Sequence, residues 1–200
     1  MTLRPDVLLA LFVFCVVSSV TPGPNNMMLM ASGVNYGVRR TLPHLLGVAF
    51  GFGLMVALVG AGLDALFRVA PWAFPAMKYA GAVYLVLLAA KIARAGAVKD
   101  GAAAGKPLGF LGAAAFQWIN PKGWVIAISA LTAYAVSENY TTSVAVVALV
   151  YLVACFPCAG LWVAFGSAMR RWLADPRRAR AFNWTMAALL VASILPTLRE

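Results

Sequence analysis

The stretch VTPGPNNMMLM, residues 20–30, decides how the rest of the chain is read. Apolar sequence runs on both sides of it, so two prolines, a glycine and two asparagines stand where a helix would otherwise continue. Pro22 and Pro24 each remove a backbone donor and crowd the preceding turn. Gly23 accepts dihedrals that other residues avoid. The helix is expected to break here, inside its own apolar length.

The surroundings set the solvent. Of 200 residues, 63% are hydrophobic and 11% are charged, whereas soluble domains are nearer half apolar. A helix crosses the hydrocarbon core in about 20 residues, and apolar runs of that order recur at 7–38, 45–66, 72–92, 108–136, 143–169 and 181–198. Strands of a membrane barrel would alternate apolar and polar residues, and that pattern is missing. The expected fold is an all-α membrane protein of six transmembrane helices in one transporter domain, 1–200. Signal cleavage needs small residues at the cut. Phe14 precedes Cys15 and the rest of the chain is itself apolar, so the first run is expected to stay as an uncleaved helix.

The net charge of +10 would suit nucleic acid if it formed a patch, but the charges sit in alternate connections. Arg39 and Arg40 follow the first run. Lys91, Arg94, Lys99 and Lys106 oppose Asp100 in the third connection, and Arg170, Arg171, Arg177, Arg178 and Arg180 oppose Asp175 in the fifth. On the other side Asp64 meets Arg68, Glu138 stands in the fourth connection, and Arg199 adjoins Glu200. The positive-inside rule then makes the first, third and fifth connections cytoplasmic and both termini periplasmic. The expected partners are membrane lipids, with anionic headgroups near the arginines, and not nucleic acid.

With both termini outside, runs one and four enter from opposite faces, so a repeat of three helices is inverted. Repeat one is expected over 1–95, a cytoplasmic loop over 96–107 and repeat two over 108–200. Runs one and four are both long and both interrupted, the second at Gln117-Trp118-Ile119-Asn120-Pro121-Lys122-Gly123. Residues 7–38 as one straight helix would span roughly 48 Å against about 30 Å of hydrocarbon. Open backbone at that depth is tolerated only around a cavity, and interruptions in corresponding positions of two halves point to a transporter site.

The second half of run one is expected to start near Asn25, and that of run four at Asn120-Pro121, an N-cap followed by proline at the first helical position. Their unpaired amides suit a carboxylate. Carbonyls freed near Ser18, Ser19, Phe116 and Gln117 suit an ammonium, so the complementary ligand is a zwitterion. Lys122 has two readings: it meets the substrate's carboxylate, or it caps the carbonyls freed by the first break.

These motifs resemble the LysE/RhtB family of amino-acid exporters. The matching text is TPGPNNMMLMASGVNYGVRRTLPHLLGVAFGFG at 21–53, MKYAGAVYLVLLAAKIAR at 77–94 and FLGAAAFQWINPKGW at 110–124. The run after TPGPNN is most similar to the cysteine and O-acetylserine exporter group. The resemblance implies a bacterial inner-membrane bundle that expels small amino acids, driven by protons. Self-association into a homo-oligomer is compatible with it. By motif position, Pro22, Gly23, Pro24, Asn25, Asn26, Asn120, Pro121 and Lys122 are expected to line the substrate path. Many relatives carry a polar residue where Phe52 stands here.

Gly47, Gly51, Gly53, Gly60, Gly62 and Gly81 favour close helix approach. Asp64 is read as an interfacial charge, and His44 as a solvated imidazole where run two leaves the cytoplasmic face. Cys155 and Cys158 spell C-x-x-C, so the alternative function is a membrane thiol-disulfide electron carrier. A hydrophobic helix keeps thiols protonated, and packing beside Pro157 is the plainer reading. A channel or passive scaffold is the other alternative. No phosphate loop, zinc spacing or nucleophile elbow occurs, so no enzyme activity, metal or cofactor is expected.

Overall fold

The computed structural model describes residues 4–63, 70, 72–94, 106–135 and 139–193. Asp64, Arg68, Lys99, Asp100, Glu138, Arg199 and Glu200 lie outside the described residues, as do the ends of apolar runs two, four and six. Among the described residues there is no strand. The α-helices are α1 Pro5–Val20, α2 Pro24–Leu58, α3 Ala73–Ala93, α4 Phe110–Phe116, α5 Pro121–Tyr134, α6 Tyr140–Met169 and α7 Pro176–Ala192. A π-helical turn, Val59–Leu63, extends α2, and 3-10 turns follow α4 and precede α7. Two stretches, Pro24–Gly62 and Tyr140–Met169, are long and apolar enough to cross a membrane. Leu149, Val153, Leu161 and Phe165 on α6 point outward, as lipid-facing side chains do.

Helix α2 is two arms. Gly37 has φ 75° and ψ 173°, left of the range that side chains other than glycine's tolerate. The hydroxyls of Ser32 and Thr41 lie 3.0 Å apart, although residues nine apart on a straight helix are separated by about 13 Å. The chain therefore doubles back at Gly37. Thr41 donates to the Gly37 carbonyl at 2.8 Å, so Ser32 is the donor in the hydroxyl pair. Leu29 and Leu45, on opposite arms, share one core cluster.

This corrects two expectations. The reversal is not at Arg39-Arg40, which are already helical, because one glycine makes the whole turn. His44 consequently falls inside the second arm and is 2% exposed, and among the described residues neither ring nitrogen has a partner. It is not a solvated interfacial imidazole.

Both arms of α2 lie along α6. Close approach needs glycine at two points of this seam. A Cβ on Gly33 would collide with the Val163 carbonyl, and one on Gly166 with the Met30 carbonyl. Gly47 and Gly51 meet Phe110 and Ala114 of α4 in the same way, whereas Gly62, at φ 104°, has no described neighbour within 4 Å of where its Cβ would stand and is not a packing point. Around the central pair, α1 rests on α6, α4 rests on α2, and α3 pairs with α7. Leu11 and Cys15 of α1 join Tyr151 and Val147 of α6 in one cluster. Leu85 of α3 joins Met186 and Leu190 of α7 in another.

The start of α7 shows how the sequence sets a terminus. The Asp175 carboxylate accepts from the amides of Arg177 at 2.8 Å and Arg178 at 3.1 Å, and Pro176 opens the helix. Those hydrogen bonds, from Arg178 and then Arg177, hold its pKa below the ordinary value of 3.8. A depressed carboxylate stabilises the fold above its unfolded pKa, and the contribution is lost as pH falls through the folded one. Asp175→Ala is expected to lower the melting midpoint at pH 7, with the difference from wild type closing as pH falls through the folded pKa of Asp175. Melting in detergent across pH checks this.

Candidate functional site

The two interruptions are built alike. Helix α1 ends at Val20, where the Thr21 amide donates back to Val17 at 3.0 Å. Gly23 is extended at φ −174° and ψ 178°, and Pro24 opens α2. At the second break α4 tightens into the turn Gln117–Ile119, Asn120 is extended at φ −88° and ψ 104°, and Pro121 opens α5. In both places proline occupies the position whose amide would be orphaned anyway.

The breaks touch each other. Asn25 Nδ2 donates to Gln117 Oε1 at 2.8 Å, and Gln117 Nε2 returns to Asn25 Oδ1 at 3.2 Å. Lys122 Nζ crosses from the second break to the first and donates to the carbonyls of Thr21 at 2.6 Å and Pro22 at 3.3 Å. Asn26 Nδ2 holds the carbonyls of Ser19 at 2.8 Å and Thr21 at 2.9 Å. Lys122 thus does what its second reading supposed. No carboxylate among the described residues pairs with it. An ammonium has three donors, so one remains.

Two further expectations change. The carbonyls at the first break are not all free: those of Ser19, Thr21 and Pro22 accept from the side chains of Asn26 and Lys122. Asn120 stands at the N-cap but makes no cap bond. Its side chain is 3% exposed, and no donor among the described residues reaches Oδ1.

A cavity of about 50 Å³ opens where the breaks meet, walled by Gly23, Pro24, Asn25, Asn26, Asn120 and Lys122. At about 10–15 Å³ for each water-sized group, it suits a small solute. Pro22 and Pro121 do not line it. Pro22 is exposed and contributes its carbonyl to Lys122, while Pro121 is buried under the first turn of α5.

Other helices complete the wall with Ser18, Ser19, Val48, Phe52, Gly123, Ile126, Tyr151 and Cys155. Tyr151 and Ser18 share a hydroxyl hydrogen bond at 3.0 Å, and the Tyr151 ring meets Phe52 edge-on at 5.0 Å. Sequence reasoning missed Val48, Ile126 and Tyr151. The available signal was Tyr151, the single tyrosine in the run 143–169. Phe52 makes this wall aromatic where a polar group was weighed.

A Cβ on Gly23 would stand 2.7 Å from Lys122 Cδ and 3.1 Å from Nζ. Gly23→Ala is expected to push the lysine off the first break and to cut transport about fivefold while the protein still folds, since a flexible side chain can yield. Counterflow rates in proteoliposomes check this against melting of the same variant.

The family model described as LysE type translocator matches residues 16–195. Proteins named cysteine/O-acetylserine efflux protein are similar to the chain. Those of Escherichia coli strain K12 and Shigella sonnei strain Ss046 are each 33% identical over 142 residues, which cover 70% of this chain and 72% of the relative. The protein of that name from Shigella flexneri has the same identity and coverage. No solved structure matches the chain.

Proposed function

We propose, from the premise that the chain belongs to the LysE type translocator family, that it is a secondary carrier exporting a small neutral amino acid of the cysteine or O-acetylserine kind. The observation that carries this is the cavity at the paired breaks. It is small, it lies among membrane-crossing helices, and it presents helix-start amides and an ammonium beside one unpaired carbonyl oxygen. The chain is a membrane translocator, and the names of its relatives support amino-acid efflux.

Carboxylate recognition falls to the first-turn amides of α2 and to the remaining donor of Lys122. Asn25 and Asn26 hold the broken backbone in place, and Gly23 leaves room for the lysine. Six spans arranged as two inverted repeats are part of this reading. Exchange of the halves maps α1 on α6 onto α4 on the second arm of α2, and maps α3 on α7 onto itself, which supports it. The basic connections favour periplasmic termini in a bacterial inner membrane.

The test is substrate counterflow in proteoliposomes over the amino acids and O-acetylserine. Exchange of a small neutral amino acid is expected, and a channel or scaffold would give none. Proton coupling predicts that an imposed pH gradient changes uptake into inside-out vesicles, and an unaffected rate would remove that part.

The thiol-disulfide alternative is not favoured. Cys15, Cys155 and Cys158 are free and buried. Because Cys155 lines the cavity, alkylation would plug a carrier as well, so serine substitution of all three is the discriminating experiment. A carrier keeps counterflow after it.

A further inference from the structure

We propose that the side-chain carbonyl of Asn120 receives the substrate's α-ammonium, so that the amino acid lies with its carboxylate toward the start of α2. This rests on the carrier reading above and deepens it by fixing the ligand's orientation. An ammonium brings three donors and needs acceptors. At the first break, Asn26 and Lys122 already donate to the carbonyls of Ser19, Thr21 and Pro22. The side-chain carbonyls of Asn25 and Gln117 are spent on each other's amide nitrogens.

Asn120 Oδ1 is different. Asn120 is among the residues that wall the cavity, it is 3% exposed, and no donor of the described residues reaches its Oδ1. A buried acceptor without a donor is destabilising, and a ligand donor removes that cost.

The start of α2, which also walls the cavity, favours an anion. There the amides of Asn25 and Asn26 have no intrahelical acceptor, no side chain caps them, and the helix start carries partial positive charge. Lys122 adds a full charge beside them. A carboxylate there would meet the two amides and the ammonium of Lys122. The orphaned carbonyl of Asn120 and the donors at the start of α2 therefore suit the two charges of a zwitterion.

Three small thiols test this as competitors of cysteine counterflow: cysteine, 3-mercaptopropionate, which lacks the ammonium, and cysteamine, which lacks the carboxylate. In Asn120→Leu, cysteine is expected to weaken about tenfold while 3-mercaptopropionate stays within about twofold. In Asn120→Asp, cysteamine is expected to gain and 3-mercaptopropionate to lose, each by about tenfold, because the added charge attracts one and repels the other. Equal weakening of cysteine and 3-mercaptopropionate in the leucine variant, or no gain for cysteamine in the aspartate variant, overturns the assignment. If the leucine variant does not fold, the aspartate variant decides. Absence of counterflow with every amino acid and with O-acetylserine in the wild type overturns the carrier reading instead, and is seen before any variant is made.

Discussion

Lys122→Gln should raise the KM for exported substrate and lower kcat/KM by about 10–100-fold, while the protein still assembles. Hydrogen bonds from a charged donor contribute about 1.5–3 kcal/mol. Lys122 makes two of them to the carbonyls of Thr21 and Pro22. Glutamine keeps an amide donor for one of those carbonyls but carries no charge for a substrate carboxylate. The two roles therefore separate in the kinetics. Loss of the carboxylate contact appears as a raised KM, with recovery in Lys122→Arg. A melting shift with unchanged KM would leave only the capping role, and the proposed reading of the carboxylate would be withdrawn.

Gly166→Val is expected to be the most damaging change to assembly. The Cβ alone would overlap the Met30 carbonyl, which belongs to a backbone and cannot rotate away as a side chain could. Overpacking a tight seam costs about 3 kcal/mol, or on the order of 6–12 °C in the melting midpoint for a chain of this size. Gly53→Ala is the control, since a Cβ there would meet Ala148 and Leu152 at 3.6 Å, an ordinary contact. Size-exclusion profile and thermal melting in detergent compare the two.

The breaks were legible because their causes are local. Pro22, Pro24 and Pro121 lack the donor a continuous helix needs, and the interruption of run four shows the same chemistry. The turn of α2 was not legible at its true place. A lone glycine between Tyr36 and Val38 looks like any helical glycine, while the paired arginines two residues later resemble a loop; φ 75° at Gly37 is visible only in the fold. His44 was misplaced by the same error.

What fills the breaks was also hidden, because the partners are far apart in the chain. Asn25 and Gln117 are separated by 92 residues, and nothing local in either run says that their amides pair. The end of α1 therefore looked like open carbonyls when it is a capped one. Tyr151, Phe52 and Cys155 reach the cavity through the rotation of α6 and the second arm of α2. Helical rotation is set by packing, and composition does not encode it.

The amide pair of Asn25 with Gln117 and the reach of Lys122 to Thr21 make each half of the molecule the stopper of the other. Neither hinge can swing by itself without stripping its neighbour's bonds. On the proposed carrier reading, opening one break requires breaking bonds that hold the other, so the two are expected to move together.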